Sequence, residues 1–368
     1  MKAKNHSPKL HRQLGLFDST MMVIGIVIGS GIFMTTGLMA DALPSASLIL
    51  IAWILGGLQM LAGALTYAEL GAAMPKAGGQ YIYLREAYGK LPAFLFGWVA
   101  FIAYLSGTNA AIAVAVSEHL GSFYPVFSTE TSLLSVGIFS ISGGQVFALS
   151  LIVGLSLIHY CGVVFGKWIQ NVFTVLKIGT ILFFAIAGLF ISSGNHLDLS
   201  LNPTQMSFGT ILTGMGIALV AVNWTVGGWD YVTLAAGEIK NPKRNIPLAL
   251  LIGTVVILVL YFLINITYLK AQPMASLAGE VKVGEATARI LYGNGIAGLF
   301  TLVIIFSMFG SLNGNIMVGP RVTYAMAKDK LFFSSAADIH PKFHTPGNAI
   351  MIQGFWAAVL VLSGTFEE

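Results

Sequence analysis

Apolar residues in this chain come in long, nearly uninterrupted runs. A run of about 20 residues is what a helix needs to cross ~30 Å of hydrocarbon. Nine are read here: 17–39, 48–72, 92–117, 145–164, 168–192, 208–236, 248–269, 295–319 and 347–364. Helix is the form such runs take, because lipid offers no partner to a free backbone N–H or C=O. The polar stretches between them predict structure of their own. Residues 75–91, with Gly78-Gly79 and Arg85-Glu86, read as a re-entrant turn and a short interfacial helix, and residues 271–294 as one or two short helices. Asp18, followed by Ser19 and Thr20, reads as the N-cap of the first span.

Composition agrees with the pattern. Charged residues number 34 (19 basic, 15 acidic), or 9% of 368, against 56% hydrophobic. A soluble globule carries about a quarter of its residues as charges. The chain therefore reads as an all-α, multi-pass membrane protein whose outer surface meets the lipid bilayer, with no call on nucleic acid despite a net charge of +4. The polar, basic segment Met1–Leu16 and the long first run predict that no signal peptide is cleaved. With the N-terminus in the cytoplasm, 15 of the 19 basic residues fall in cytoplasmic segments, Lys2 and Lys4 among them. Only Lys270, Lys282 and Arg289 fall outside, and Lys177 lies within a span. That asymmetry predicts an inner or plasma membrane protein with its N-terminus inside and the end of this chain outside.

Two spans carry glycine clusters near their centres. Span one contains Gly25-Ile26-Val27-Ile28-Gly29-Ser30-Gly31-Ile32-Phe33, and span six contains Trp224-Thr225-Val226-Gly227-Gly228-Trp229-Asp230. One cluster alone would be read as close helix packing of the GxxxG kind. Two clusters, 198 residues apart from Gly29 to Gly227 with five spans between the breaks, predict two five-helix repeats of opposite orientation, each opening with a broken helix. This is the leucine-transporter-like architecture of secondary transporters. Repeat one covers about 15–195 and an incomplete repeat two about 205–368, within a single domain over 1–368. Each break exposes N–H groups where one half-helix starts and C=O groups where the other ends, with partial charges to match. A zwitterion fits both. The N–H groups of Ser30, Gly31 and Ile32 would hold its carboxylate. The carbonyls of Val27, Ile28, Trp224 and Gly227 would hold its ammonium, and Gly29 and Gly228 would let it approach the backbone.

These residues resemble the amino acid–polyamine–organocation superfamily, in its L-type amino acid transporter branch. The likeness rests on Gly29-Ser30-Gly31-Ile32-Phe33, Gly227-Gly228-Trp229, Glu238-Ile239-Lys240-Asn241-Pro242 through Arg244 to Ile246-Pro247, and Ser311-Leu312-Asn313-Gly314 with Arg321 and Ala325-Met326-Ala327-Lys328-Asp329. It implies import or exchange of amino acids by alternating access, with the two breaks binding the substrate backbone. It also implies a gate at Trp224, the aromatic residue just before the span-six glycines, and a stand-in for a sodium ion at Lys177. Twelve spans are implied and about nine are present, so a non-transporting remnant remains an alternative reading. The family's disulfide-linked subunit attaches through an outer-loop cysteine. Residues 118–144 have none, and the one cysteine is Cys161, so no such partner is expected.

Single residues refine the picture. Lys177 lies nine residues into span five, ~14 Å deep at ~1.5 Å per residue, beyond the reach of snorkelling. It reads as a fixed cation tying span five to spans one and eight, with proton carriage the lesser alternative. Asp230 reads as the cap of the half-helix after the second break, or more weakly as a contact for a cationic substrate. No other acid neighbours the pocket, which favours neutral L-amino acids over a cationic amino acid or polyamine. Ser311 and Asn313 reach either the pocket or Lys177, or else pack between helices. His159 and Cys161 read as buried packing residues. No catalytic set, P-loop or metal motif is present, so no enzyme, cofactor or metal is expected. A channel would need a continuous polar stripe, whereas the polar positions gather at the breaks.

Overall fold

The computed structural model describes residues 9–43, 45–136, 139–191, 197–200 and 207–363. Lys2, Lys4 and the last residues of the chain lie outside them. Seven helices are long and apolar enough to span a membrane, and two shorter apolar ones, Leu16–Val27 and Gly347–Ser363, complete the nine positions predicted. In chain order, α1 (Leu16–Val27) and α2 (Thr35–Ala42) form the interrupted first span. Next come α3 (Ala46–Ala73), the interfacial α4 (Gln80–Tyr88), and span three, made of α5 (Lys90–Val99), a π turn (Ala100–Tyr104) and α6 (Leu105–Gly121). A hairpin of β1 (Ser132–Val136) and β2 (Phe139–Ser142) leads to α7 (Gly143–Tyr160) and α8 (Val163–Phe190). Span six is α9 (Phe208–Thr225) and a 3-10 helix, Trp229–Glu238. Then follow α10 (Pro242–Ala271), the short α11 (Met274–Leu277) and α12 (Val283–Tyr292), α13 (Asn294–Val318), α14 (Pro320–Lys328) and α15 (Gly347–Ser363).

Small residues set the packing. A Cβ on Gly56 of α3 would lie 2.4 Å from Val222 Cγ1 of α9, and one on Gly253 of α10 would lie 2.6 Å from Val23 Cγ1 of α1. Close backbone approach of this kind is how membrane helices gain contact without a hydrophobic driving force. The interrupted α1 sits at the centre, against α10, α8 and α13, and is buried from Ser19 to Val27. Lipid-facing residues such as Leu58, Phe183, Val220 and Phe355 are exposed.

The short elements have local causes. In α4, Gly79 at φ +45° starts the helix and Gly89 at φ +88° ends it. At the start of α1, Asp18 accepts from Gly15 N at 2.8 Å, so this carboxylate serves the first turn from inside the helix rather than from the cap position, which Gly15 holds. Cys161 is exposed rather than packed, because α7 ends at Tyr160. The β1–β2 hairpin is an element that the apolar runs did not signal.

Candidate substrate-binding site

The first break begins at Ile28, whose ψ of 88° leaves the helical region. A 3-10 turn, Gly31–Phe33, follows before α2 resumes at Thr35. Gly29 N donates to Val27 O at 2.8 Å, while Phe33 N and Met34 N reach back to Ser30 O and Gly31 O at 3.0 Å each. Among the described residues, the N–H groups of Ser30, Gly31 and Ile32 find no backbone acceptor. Three adjacent unpaired donors at the start of a half-helix make a site for an anionic group.

The second break begins at Val226 and turns at Gly228, which adopts φ +94°, before the 3-10 helix. The two breaks press on each other. A Cβ on Gly31 would stand 3.2 Å from Thr225 Cγ2, and one on Gly228 would stand 2.9 Å from Ile26 Cγ2. Thr35 and Thr225 share a hydroxyl–hydroxyl bond of 2.5 Å. A cavity of about 220 Å³ lies between the breaks. Of the expected binding residues, Val27, Gly29, Ser30, Gly31, Trp224, Gly227 and Gly228 line it. Ser311 lines it as well.

Other expectations need correction. Ile28 and Ile32 are wholly buried and stand behind the wall. The Ile28 carbonyl already accepts from Lys177 Nζ at 2.7 Å and Ser307 Oγ at 2.9 Å, and the Val27 carbonyl from Gly29 N at 2.8 Å and Tyr261 OH at 3.2 Å. A carbonyl oxygen has two lone pairs, so neither is left for an ammonium. Asp230 caps nothing, since Gly228 holds the cap position without a side-chain bond. Its buried carboxylate accepts instead from Gln80 of α4 and stays off the cavity wall. Asn313 faces α7 and α8: its Oδ1 accepts from His159 Nε2 at 3.1 Å, and its Nδ2 donates to Gln170 Oε1 at 2.8 Å. That bond makes His159 part of a polar network rather than simple packing.

Lys177 is 2% exposed and donates to Gly25 O and Ile28 O, both at 2.7 Å. It holds the C-terminal end of α1, where the helix carries partial negative charge. Gly310 of α13 makes room, since a Cβ there would lie 3.0 Å from Lys177 Cε. Spans one, five and eight therefore meet at this ammonium.

Sequence reading missed Tyr104, Thr108, Asn223, Tyr231 and Asn315, all on the wall. Tyr104, Thr108 and Ile112 recur at helical spacing, and Asn315 lies one turn beyond Ser311. Those signals become readable only once span three and span eight are known to face the breaks.

Access is one-sided. Trp224, 82% exposed, lines both this cavity and a larger chamber of about 450 Å³ with Leu38, Asp41 and Glu280, on the face that carries α11 and α12. The N-terminal face is sealed. Gln13 N and Leu14 N donate to Glu238 O at 2.8 and 3.0 Å, and Lys240 N returns to Leu14 O at 2.8 Å. Beneath that bridge Arg321 grips Glu238 through two bonds of 2.8 and 3.0 Å, both side chains 1% exposed. On α4, Arg85 and Tyr81 both bond Asp329, at 2.5 and 2.8 Å. The bond to Asp329 holds the Arg85 guanidinium above its ordinary range, and burial pushes the Tyr81 phenol up.

Comparison with known proteins gives concordant results. The family described as "Amino acid permease" matches residues 14–366. The serine/threonine exchanger SteT of Bacillus subtilis (strain 168) is 33% identical over 96% of this chain and 77% of its own length. The human b(0,+)-type amino acid transporter 1 is 29% identical over 98% of this chain and 72% of its own. A solved Na+-coupled sialic acid symporter, substrate-bound and outward-open, superposes with a TM-score of 0.62 at 16% identity, covering 95% of this chain and 74% of that one. The shared fold is thus that of the leucine-transporter-like carriers with broken first and sixth helices.

Proposed function

Because this chain belongs to the amino acid permease family, and is a multi-pass membrane transporter rather than an enzyme, we propose that it carries neutral L-amino acids by sodium-independent alternating access, as an exchanger or an uptake carrier. The observation that carries the reading is the row of unpaired N–H groups at Ser30, Gly31 and Ile32, facing the second break across a cavity of about 220 Å³. A carboxylate seats on those donors. The ammonium takes the remaining lone pair of Ile26 O, whose other partner is Ser311 Oγ at 2.6 Å, and the carbonyls at the end of α9. A ligand pocket of drug-like size runs to about 300–1,000 Å³, so this smaller one suits a small zwitterion.

Lys177 supplies the positive charge that a bound cation would otherwise bring between spans one, five and eight, which favours transport without sodium. The acid nearest the breaks, Asp230, is engaged by Gln80, which favours neutral substrates over cationic ones. The names of relatives point the same way, since SteT exchanges serine and threonine. The basic bias of the N-terminal face places that face in the cytoplasm. The open chamber beside Trp224 then faces outward, with the Leu14 and Arg321 contacts closing the inner side.

The test is a thermal-shift screen of the purified protein against the twenty amino acids, followed by counterflow in liposomes. A ligand that binds the folded state raises its stability in proportion to ln(1 + [L]/Kd). Shifts confined to neutral amino acids, with counterflow unchanged when sodium is replaced by choline, are expected. Absence of any shift, or an absolute need for sodium, would overturn the reading.

A further inference from the structure

Most buried polar side chains on the cavity wall are already satisfied. Ser311 Oγ donates to Ile26 O at 2.6 Å, and Thr225 Oγ1 donates to Ala221 O at 2.8 Å and pairs with Thr35. Asn315 differs. It lines the cavity, is 3% exposed, and donates through Nδ2 to Ser311 O at 3.0 Å. Its Oδ1 has no hydrogen-bond partner. The amide cannot be turned the other way, because a carbonyl accepts only and the nitrogen must therefore face Ser311 O. The free end is an acceptor, and a buried acceptor left unpaired is costly.

The position of this oxygen narrows what satisfies it. Along α13, Asn315 lies four residues beyond Ser311, about 6 Å nearer the N-terminal face. The unpaired N–H groups of Ser30, Gly31 and Ile32 lie past the break on the other side of Ile26. A zwitterion with its carboxylate on those donors turns its side chain toward Asn315, past Gly228 and Tyr231, which share the wall. A short side chain with an O–H group gives the missing donor. A methyl group in its place leaves the oxygen unpaired.

We infer that Asn315 is the specificity-determining residue of the cavity and selects amino acids with a hydroxyl on a short side chain, serine and threonine before alanine and valine. This rests on the amino acid reading above and adds the substrate class. The same logic makes a site built to bond a hydroxyl reject the analogue that lacks one.

The experiment titrates the purified protein with threonine, valine, serine and alanine by calorimetry. Valine matches threonine in shape, so the ratio of the two isolates the hydroxyl. Threonine is expected to bind about 5- to 150-fold more tightly than valine, the range set by leaving one buried acceptor unpaired. In Asn315→Leu the ratio falls to within about twofold of one, while alanine binding persists. Asn315→Asp, which keeps an acceptor there, retains the preference. Equal binding of threonine and valine to the unaltered protein overturns the inference without any variant having to fold, as does an undiminished preference in Asn315→Leu. Failure of every amino acid to bind overturns the parent reading with it, whereas binding without hydroxyl preference overturns this inference alone.

Discussion

The ammonium of Lys177 and the carbonyl of Ile28 are joined at 2.7 Å across two spans, at the point where α1 stops being helical. The same nitrogen takes Gly25 O at an equal distance. Removing the side chain leaves both carbonyls short of a donor in a dry interior, which costs about 1–3 kcal/mol for each such group. Lys177→Ala is therefore expected to abolish or strongly impair substrate uptake into liposomes, and Lys177→Met, which keeps bulk without charge, to do the same. Uptake at the unaltered rate in either variant would remove the fixed-cation role.

Glycine at the second break is needed at one position more than at its neighbour. Gly228 holds φ +94°, and a Cβ there meets Ile26 Cγ2 at 2.9 Å, while a Cβ on Gly227 meets only Trp224 O at 3.2 Å. An L-residue forced into the left-handed region costs roughly 1–2 kcal/mol before any clash is counted. Gly228→Ala should thus lower stability and substrate affinity together, and Gly227→Ala should do so by less. Parallel thermal melts with and without amino acid check the order, and a reversed order would contradict the geometry of the turn.

The seal on the N-terminal face rests on a buried pair. Arg321 and Glu238 are each 1% exposed and share two hydrogen bonds. Breaking such a pair by removing one partner costs about 3–5 kcal/mol, because the other charge stays buried and alone. Arg321→Met and Glu238→Leu should each destabilise the protein strongly, and the double variant should be more stable than either single one. A double-mutant cycle by chemical denaturation reads this directly, and additive effects would mean that the two side chains do not act as a unit.

Sequence periodicity located all nine apolar segments because lipid enforces helix wherever an apolar run is long enough. Two glycine clusters located both breaks, and most of the backbone groups expected at the site do line the cavity. What stayed hidden was direction. Ile28 and Val27 sit in the right stretch, yet their carbonyls turn toward Lys177, Ser307 and Tyr261, which no spacing rule reports. Asp230 carries the signature of a cap, but a glycine in the left-handed region took that position and Gln80, 150 residues earlier in the chain, took the carboxylate. The wall residues Tyr104, Thr108 and Asn315 stand on otherwise regular helices, where function depends on which face meets the breaks. The β1–β2 hairpin is four to five residues per strand, too short to leave a clear pattern.

Trp224 is 82% exposed although it lies in a membrane-spanning segment, and it lines both the cavity and the chamber outside it. An aromatic side chain at that junction has little to pack against until something fills the cavity. Closure over a ligand would transfer its ring from a wet chamber to an apolar contact, and burying a large side chain contributes about 1.5–3 kcal/mol. Trp224→Ala should therefore weaken amino acid binding by about 10- to 100-fold, the equivalent of that burial. Trp224→Phe should weaken it by less. Indole fluorescence gives an independent reading: a ligand-induced blue shift is expected in the unaltered protein and lost in Trp224→Phe. The other five tryptophans lie elsewhere in the chain, so a shift that persists in that variant would assign closure to another residue.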